Sequence, residues 1–289
     1  MAGGNGQGNQ LNQLYYPNGI YIDNDAQCIY ITDCWNHRIL EWKLGAQMGQ
    51  VVVGGNGEGN RVDQLNNPTD VIMDKKTDSL IICDRGNRRV VRWPRHNGKN
   101  GEIIISGIDC FGLTLDKNGN LYVSELVKQE VRRWKIGEKT GTIVAGGNGE
   151  GNQLNQLHGP TYLCIGDDDS VYVSDVGNHR VMKWMKDAKE GIVVAGGQGP
   201  GNSLTQLWNP QGVTVDHLDN VYVADFNNHR IMCWSKGSKQ GRVIVGGNGD
   251  GQLSNQFLFI RSISFDREDN LYVVDWGNDR VQKFEIDLP

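Results

Sequence analysis

One segment recurs six times along this chain of 289 residues, and that repetition constrains the fold more than any other feature. Each copy places an acidic residue at the end of an alternating apolar run. The six acidic residues are Asp33, Asp84, Glu125, Asp175, Asp225 and Asp275, with spacings of 51, 41, 50, 50 and 50 residues. A fixed period of this length is typical of repeat architectures, in which each copy forms one supersecondary unit.

Each copy has the pattern of a β-hairpin. Residues 171–184 read V-Y-V-S-D-V-G-N-H-R-V-M-K-W, and their two alternating apolar runs predict two strands. Four loop residues, usually with Gly or Asn at the third or fourth place to tolerate positive φ, separate Asp175 from Arg180. The loop sets these two residues opposite each other, where unlike charges stabilise a strand pair by roughly 0.2–1 kcal/mol. We call this Asp–Arg pair the clasp and expect its first role to be structural.

A second recurring segment precedes each hairpin and adds two strands to the repeat. Residues 193–216 contain a short strand ending in Gly-Gly, a polar loop, and a strand that begins at Pro210. Six four-stranded antiparallel sheets arrange radially as a propeller, whereas a sandwich does not explain the period. We predict an all-β, six-bladed β-propeller that spans residues 1–289 as one domain. Residues 2–4 are expected to supply the outermost strand of blade six, beside residues 281–286. The Trp or Phe that ends each hairpin is expected to pack between blades: Trp42, Trp93, Trp134, Trp184, Trp234 and Phe284.

The repeated residues resemble a known family. The N-H-R-(V/I) core, with V-Y-V-x-D before it and P-x-G-(V/I)-x-(V/I)-D ahead of it, is similar to the NHL repeat. The resemblance covers residues 2–285, and four of the six copies match closely. It implies a six-bladed propeller that binds proteins, RNA or other ligands, usually on the face bearing the hairpin loops. Related propellers include an amidating lyase and strictosidine-synthase-like enzymes, and fold alone does not choose among these functions.

The third copy departs from the others in two ways. It lacks the long G-N-G-x-G loop, and it has Glu130 where an arginine is expected to face Glu125. Like charges that face each other across a strand pair are destabilising. The pair is therefore either a site for a cation or a basic group of a partner, or it is neutralised by Lys128, Arg132 or Arg133.

The sequence predicts no catalytic residue, no metal site and no cofactor. The repeated Gly-x-Gly motifs lead into strands rather than into the helix that a phosphate-binding loop requires. His37, His179 and His229 occupy one repeat position in three blades, so they do not converge on one ion. No G-x-S-x-G motif or Ser/His/Asp set is found. A propeller lyase or hydrolase remains an alternative.

Composition restricts the partners further. A net charge of −5 and a pI near 5.7 argue against nonspecific nucleic-acid binding, so RNA recognition is a second alternative. No apolar run is long enough to cross a membrane. No signal-peptide pattern is found at residues 1–6, and the compartment is left open. The six cysteines are scattered over the repeats, and we expect free thiols.

The hairpin-loop face is the predicted binding surface. Aromatic and apolar residues follow the clasp acids or precede the inner strands, and polar residues begin those strands. We expect a protein, peptide or glycan ligand to contact Tyr15, Tyr16, Asn18, Arg85, Phe111, Leu126, His158, Trp208, Gln211, Phe226, Phe259, Arg261 and Trp276. The competing interpretation is that the long loops bury these side chains. The sequence thus predicts a non-catalytic recognition module, mostly monomeric, with weak self-association along the edge of blade six.

Overall fold

The computed structural model describes residues 2–95, 98, 100–135 and 137–286. They form six four-stranded antiparallel sheets, which we number as blades in chain order. The predicted six-bladed β-propeller is confirmed. Within the described residues, no helix has the length and apolar character needed to cross a membrane.

Each blade is built from consecutive strands, and blade six also takes the first strand of the chain. The strands are β1 (Ala2–Gly3); in blade one β2 (Pro17–Asp23), β3 (Cys28–Asp33), β4 (Arg38–Lys43) and β5 (Gln50–Gly54); in blade two β6 (Pro68–Asp74), β7 (Ser79–Asp84), β8 (Arg89–Pro94) and β9 (Glu102–Ser106); in blade three β10 (Cys110–Leu115), β11 (Leu121–Glu125), β12 (Glu130–Trp134) and β13 (Thr142–Gly146). Blade four contains β14 (Pro160–Ile165), β15 (Val171–Asp175), β16 (Arg180–Trp184) and β17 (Ile192–Gly196). Blade five contains β18 (Pro210–Val215), β19 (Val221–Asp225), β20 (Arg230–Trp234) and β21 (Arg242–Gly246). Blade six contains β22 (Ile260–Phe265), β23 (Leu271–Asp275) and β24 (Arg280–Phe284).

The hairpin loop between the second and third strands is a single 3-10 turn in five blades. The turns are Cys34–Asn36, Arg85–Asn87, Val176–Asn178, Phe226–Asn228 and Trp276–Asn278. The residue after each turn is left-handed, as at His37 with a φ of 52° and Arg88 with a φ of 53°. The loop sequence predicts that Gly or Asn provides the positive φ. Instead a His, Arg or Asp adopts it, and its N–H closes the turn, as from His37 to the carbonyl oxygen of Cys34.

By their internal contacts the residues group into two compact units, 1–110 with 261–289 and 111–260. In the first unit, Trp42 of blade one packs into an apolar cluster with Tyr272 of blade six. In the second unit, Trp184 of blade four packs with Tyr122 of blade three, and Trp234 of blade five clusters in the same way with residues of blade four. These contacts confirm, for these tryptophans, that the last residue of the hairpin packs between blades.

The first strand of the chain completes blade six. Ala2 pairs with Val281 and Gly3 with Arg280, antiparallel, and Ala2 is buried. Gly3 has a φ of +69°, and a Cβ there would lie 2.4 Å from the carbonyl oxygen of Asp279. Only glycine fits that close approach. The predicted closure is confirmed, although the strand has only two residues.

The prediction of free thiols is wrong for two of the cysteines. Cys83, on the second strand of blade two, forms a disulfide with Cys110, the first residue of the inner strand of blade three. The cysteines are scattered over the repeats in the sequence, but Cys83 and Cys110 lie in two repeats that follow each other in the chain. Thr32 and Ser124, which occupy the same repeat position as Cys83, bring their hydroxyl oxygens to a carbonyl oxygen of the following blade. The remaining cysteines, Cys28, Cys34, Cys164 and Cys233, are free.

Candidate functional site on the hairpin-loop face

The clasp organises this face, as blade four shows. The Asp175 carboxylate is fully buried and accepts hydrogen bonds from Nε of Arg180 at 2.7 Å, from Asn178, and from the main-chain N–H of His158. Arg180 also donates to three carbonyl oxygens of the preceding loop, including that of Asn152 at 2.9 Å. Burial raises the pKa of Asp175, although these donors oppose that effect. The clasp therefore holds the long loop that precedes the blade against the hairpin of that blade.

The same arrangement recurs around the chain. The corresponding ion pairs are Asp33–Arg38, Asp84–Arg89, Asp225–Arg230 and Asp275–Arg280, with N–O distances of 2.6 to 2.7 Å. Each pair also faces in register across the second and third strands. The predicted structural role of the repeated Asp and Arg is confirmed.

In blade three the two departures from the repeat affect the same set of contacts. In blades one, two, four and five the clasp arginine donates to carbonyl oxygens of the loop that precedes its blade, and blade three lacks that loop. An arginine there would lose most of its acceptors, and Glu130 stands in its place. Glu125 and Glu130 do face each other, as expected. Lys128 lies 3.1 Å from Glu125, and Arg132 pairs with Glu130, so both carboxylates have basic partners in the chain.

The repeated histidines connect consecutive blades. Nδ1 of His179 accepts the main-chain N–H of Asn209, and Nδ1 of His37 accepts that of Asn67. His229 makes the same bond to Phe259. These bonds occupy one ring nitrogen of each histidine and explain the repetition without a metal. No group of three His, Cys, Asp or Glu side chains suited to a metal ion occurs among the described residues.

Several predicted ligand-contact residues meet one another between consecutive blades. The residue after a clasp acid contacts the residue that precedes the inner strand of the following blade. Tyr16 stacks on Trp276 with ring centroids 4.2 Å apart. Phe226 stacks on Phe259 with centroids 4.9 Å apart. At the same pair of positions, Arg85 forms an ion pair of 3.1 Å with Asp109.

Burial divides the predicted contact residues into three groups. Asn18, Phe111 and Gln211 are buried, at 6%, 5% and 5% exposure. His158 and Trp208 are exposed, the latter by 44%. The half-buried remainder is Tyr15, Tyr16, Arg85, Leu126, Phe226, Phe259, Arg261 and Trp276. The loops therefore cover some of the predicted surface and leave aromatic groups open.

The first unit contains an aromatic cluster that the sequence predicted only in part. We call Tyr15, Tyr16, Trp35, Trp276 and Arg261 the Trp35 cluster. Trp35 is 51% exposed, and its ring lies 5.2 Å from both tyrosine rings. The Arg261 guanidinium lies over the Trp276 ring at 5.3 Å.

Trp35 was missed because the predicted binding surface included only the first residue of each hairpin loop. A signal was present at the second place. The other five copies have small or mid-sized residues there: Gly86, Val127, Gly177, Asn227 and Gly277. An aromatic residue in one copy of a repeat marks a position that the fold itself does not require.

In the second unit, the clasp carboxylates bind the backbone of the exposed aromatic residues. The main-chain N–H of Trp208 donates to the carboxylate of Asp225 at 2.7 Å, and its carbonyl oxygen accepts from the N–H of Asn227. The equivalent residue of blade four, His158, has its Nε2 3.3 Å from a carboxylate oxygen of Glu150. In both cases the backbone is held while the side chain faces solvent.

Comparison with known proteins supports the assignment made from the repeats. The NHL repeat profile matches residues 14–42, 157–184 and 207–234. This chain is an NHL-repeat β-propeller. No curated protein matches its sequence.

Solved structures similar to this NHL propeller include both binding proteins and enzymes. An auxiliary nutrient binding protein from Bacteroides thetaiotaomicron aligns at 17% identity and a TM-score of 0.75, covering 96% of this chain and 70% of that one. A gluconolactonase from Xanthomonas campestris aligns at 13% identity and a TM-score of 0.69, covering 95% of this chain and 87% of that one. Virginiamycin B lyase from Staphylococcus aureus aligns at 13% identity and a TM-score of 0.63, covering 97% of this chain and 87% of that one. At such identities the likeness shows the fold alone.

Proposed function

We propose that this NHL propeller is a non-catalytic recognition module that binds a protein, peptide or glycan ligand on its hairpin-loop face. The observation that carries the proposal is the Trp35 cluster. An exposed tryptophan supported by other aromatic rings offers a large contact area, and such residues dominate binding energy at interfaces.

The cluster is pre-organised by the backbone. The N–H of Tyr15 donates to Asp33 and the N–H of Tyr16 donates to Asp279, each at 2.7 Å. The N–H of Trp35 donates to the carbonyl oxygen of Tyr15. Because these bonds fix the backbone before a ligand arrives, little conformational entropy is lost on binding.

Other features of the face support binding over its alternatives. The clasp carboxylates and the repeated histidines already serve structural hydrogen bonds, so they are poor candidates for acid–base catalysis. Arg85, the basic residue expected at this face, is paired with Asp109, which weakens the case for RNA. The similar nutrient binding protein accords with a ligand-binding role, whereas the similar lactonase and lyase keep enzyme activity as the second candidate.

The test is a binding screen with the intact chain against immobilised glycans and against peptides. Trp35→Ala is the informative variant, and Val127→Ala is its matched control. Val127 occupies the same loop place in blade three and is 66% exposed. We expect a ligand bound by the native chain to bind about tenfold or more weakly to Trp35→Ala and normally to Val127→Ala. Unchanged binding by a folded Trp35→Ala variant would contradict the proposal.

A further inference from the structure

A second candidate surface lies on the outer rim of the second unit, away from the hairpin loops. The outermost strand of blade four, Ile192–Gly196, pairs on one side with Arg180–Trp184, and on its other side no strand is found among the described residues. Its sequence, I-V-V-A-G, contains no charge and no proline. Ile192 and Val193 are 54% and 42% exposed. Proteins usually protect such edges with charged residues or prolines, because unpaired backbone groups recruit other strands.

A groove runs beside this strand. Its volume is about 820 Å³, and it is bounded by the strand itself and by the start and end of the blade five hairpin. Tyr172, Val194 and Ala195 line it from blade four, and Val221 and Trp234 line it from blade five. A strand added to the edge would place every second side chain on the groove side, because strand side chains alternate.

The groove carries an excess of positive charge. Lys183, Lys236 and Lys239 line it against a single carboxylate, Asp219. Lys236 pairs with Asp219 at 2.8 Å and Lys183 pairs with Asp168 at 2.9 Å. No ion pair is found for Lys239 among the described residues. Lys239 therefore favours an acidic group at this end of the groove.

The groove between blades three and four makes a useful comparison. It is smaller, about 470 Å³, and its lining is balanced in charge, with Arg133, Lys186 and Lys189 opposed by Asp116, Asp169 and Asp187. The larger groove and the larger number of lysines over carboxylates in its lining therefore distinguish the junction of blades four and five from that of blades three and four, whose edge strand Thr142–Gly146 is also uncharged.

We propose that the edge of Ile192–Gly196 binds an extended peptide segment of a partner protein as an added β-strand. Main-chain hydrogen bonds to the edge supply affinity, and alternate apolar side chains of the segment face the groove. Acidic residues of the segment lie near Lys236 and Lys239. Strand addition to an exposed edge is an established mode of peptide recognition. This surface is independent of the ligand proposed for the Trp35 cluster.

The probe is a fluorescein-labelled octapeptide, Thr-Val-Thr-Val-Thr-Val-Asp-Glu, titrated with the full chain and followed by fluorescence anisotropy. Binding is expected to slow amide hydrogen exchange in Ile192–Gly196, since new main-chain bonds protect the edge. Val193→Lys places a charge on the edge and is expected to remove binding. Val243→Lys is the matched control, because Val243 holds the same register on blade five and is 40% exposed. It is expected to leave binding unchanged.

A second peptide, ending in Lys-Lys instead of Asp-Glu, tests the charge and is expected to bind about tenfold more weakly. Absence of binding by the acidic peptide, protection outside the edge, or equal loss in both lysine variants would overturn the proposal. Sedimentation of the chain without peptide tests whether a second copy of the chain binds the edge. A dimer that Val193→Lys dissociates would show that a second copy of the chain occupies the edge, and would also overturn the assignment to an acidic peptide.

Discussion

The ring of Tyr16 stacks on the indole of Trp276 with an interplanar angle of 17°, although the two residues are 260 positions apart in the sequence. The contact joins blade one to blade six on the hairpin-loop face. Tyr16 also contacts Trp35, whose ring is about half exposed. One tryptophan of the cluster thus holds two blades together, while the other is available to a ligand.

We expect the two tryptophans to respond differently to truncation. Trp276→Ala should lower the free energy of unfolding by about 1–2 kcal/mol, because it removes an aromatic stack and the contact with Arg261. Trp35→Ala should change it by less than about 1 kcal/mol, since the side chain is half exposed. Urea denaturation of both variants measures the difference. A larger loss for Trp35→Ala would indicate that its main role is packing.

Loss of a clasp arginine should be severely destabilising. Arg180→Ala leaves the buried Asp175 carboxylate without its guanidinium and frees three loop carbonyl oxygens, so we expect a loss of about 3–5 kcal/mol. Arg61→Ala is the control, because the Arg61–Asp63 pair lies largely in solvent and should contribute little to stability. Thermal unfolding of the two variants would reveal similar losses if the clasp were dispensable.

Restoring the arginine of blade three should bring little benefit. Glu130→Arg replaces two facing carboxylates by an ion pair with Glu125, but the loop whose carbonyl oxygens hold the other clasp arginines is absent. The variant also loses the pair between Glu130 and Arg132. We expect a stability change within about 1 kcal/mol. A gain of several kcal/mol on chemical denaturation would show that the carboxylate pair is kept at a cost to stability.

His179 should make the stability of the second unit depend on pH. Burial, with a contribution from His158, lowers the pKa of His179 below its usual 6.5. The neutral ring, through Nδ1, accepts the N–H of Asn209. A lowered pKa in the folded state means that the unfolded chain binds the proton more readily, so stability is present above pH 6.5 and is lost as the pH falls below that value.

His179→Gln is the matched variant, because blade three already uses Gln129 as the acceptor at the same place. We expect it to keep the hydrogen bond and to flatten the stability profile between neutral and mildly acidic pH. Melting temperatures of the two proteins across this range provide the measurement. Parallel profiles would show that another group is responsible.

The disulfide should contribute measurably to stability. It closes a segment between residues 27 positions apart, for which the chain-entropy estimate is about 3–4 kcal/mol. A Cys83→Ser, Cys110→Ser variant should therefore unfold at lower denaturant concentration. Reducing agent should lower the stability of the native chain and leave that of the variant unchanged. Equal stability of native chain and variant under oxidising conditions would contradict this expectation.

Features repeated within the chain could be predicted from the sequence. The 50-residue period and the alternation of apolar residues predicted six four-stranded blades, and the four-residue loop predicted the register of Asp175 with Arg180. The N-terminal strand beside Val281 followed from the same register. These features depend on hydrogen bonds along and between neighbouring strands, and alternation and loop length are sufficient to specify such bonds.

Contacts between blades required the tertiary structure. The disulfide between Cys83 and Cys110, the stacking of Tyr16 on Trp276 and the exposure of Trp35 all depend on how the face of one blade meets the next. The sequence showed that aromatic residues collect on the hairpin-loop face, but not which of them pack and which face solvent. Side-chain spacing along a strand fixes the face on which a residue lies, whereas its burial depends on neighbours that are distant in sequence and are brought together only by folding.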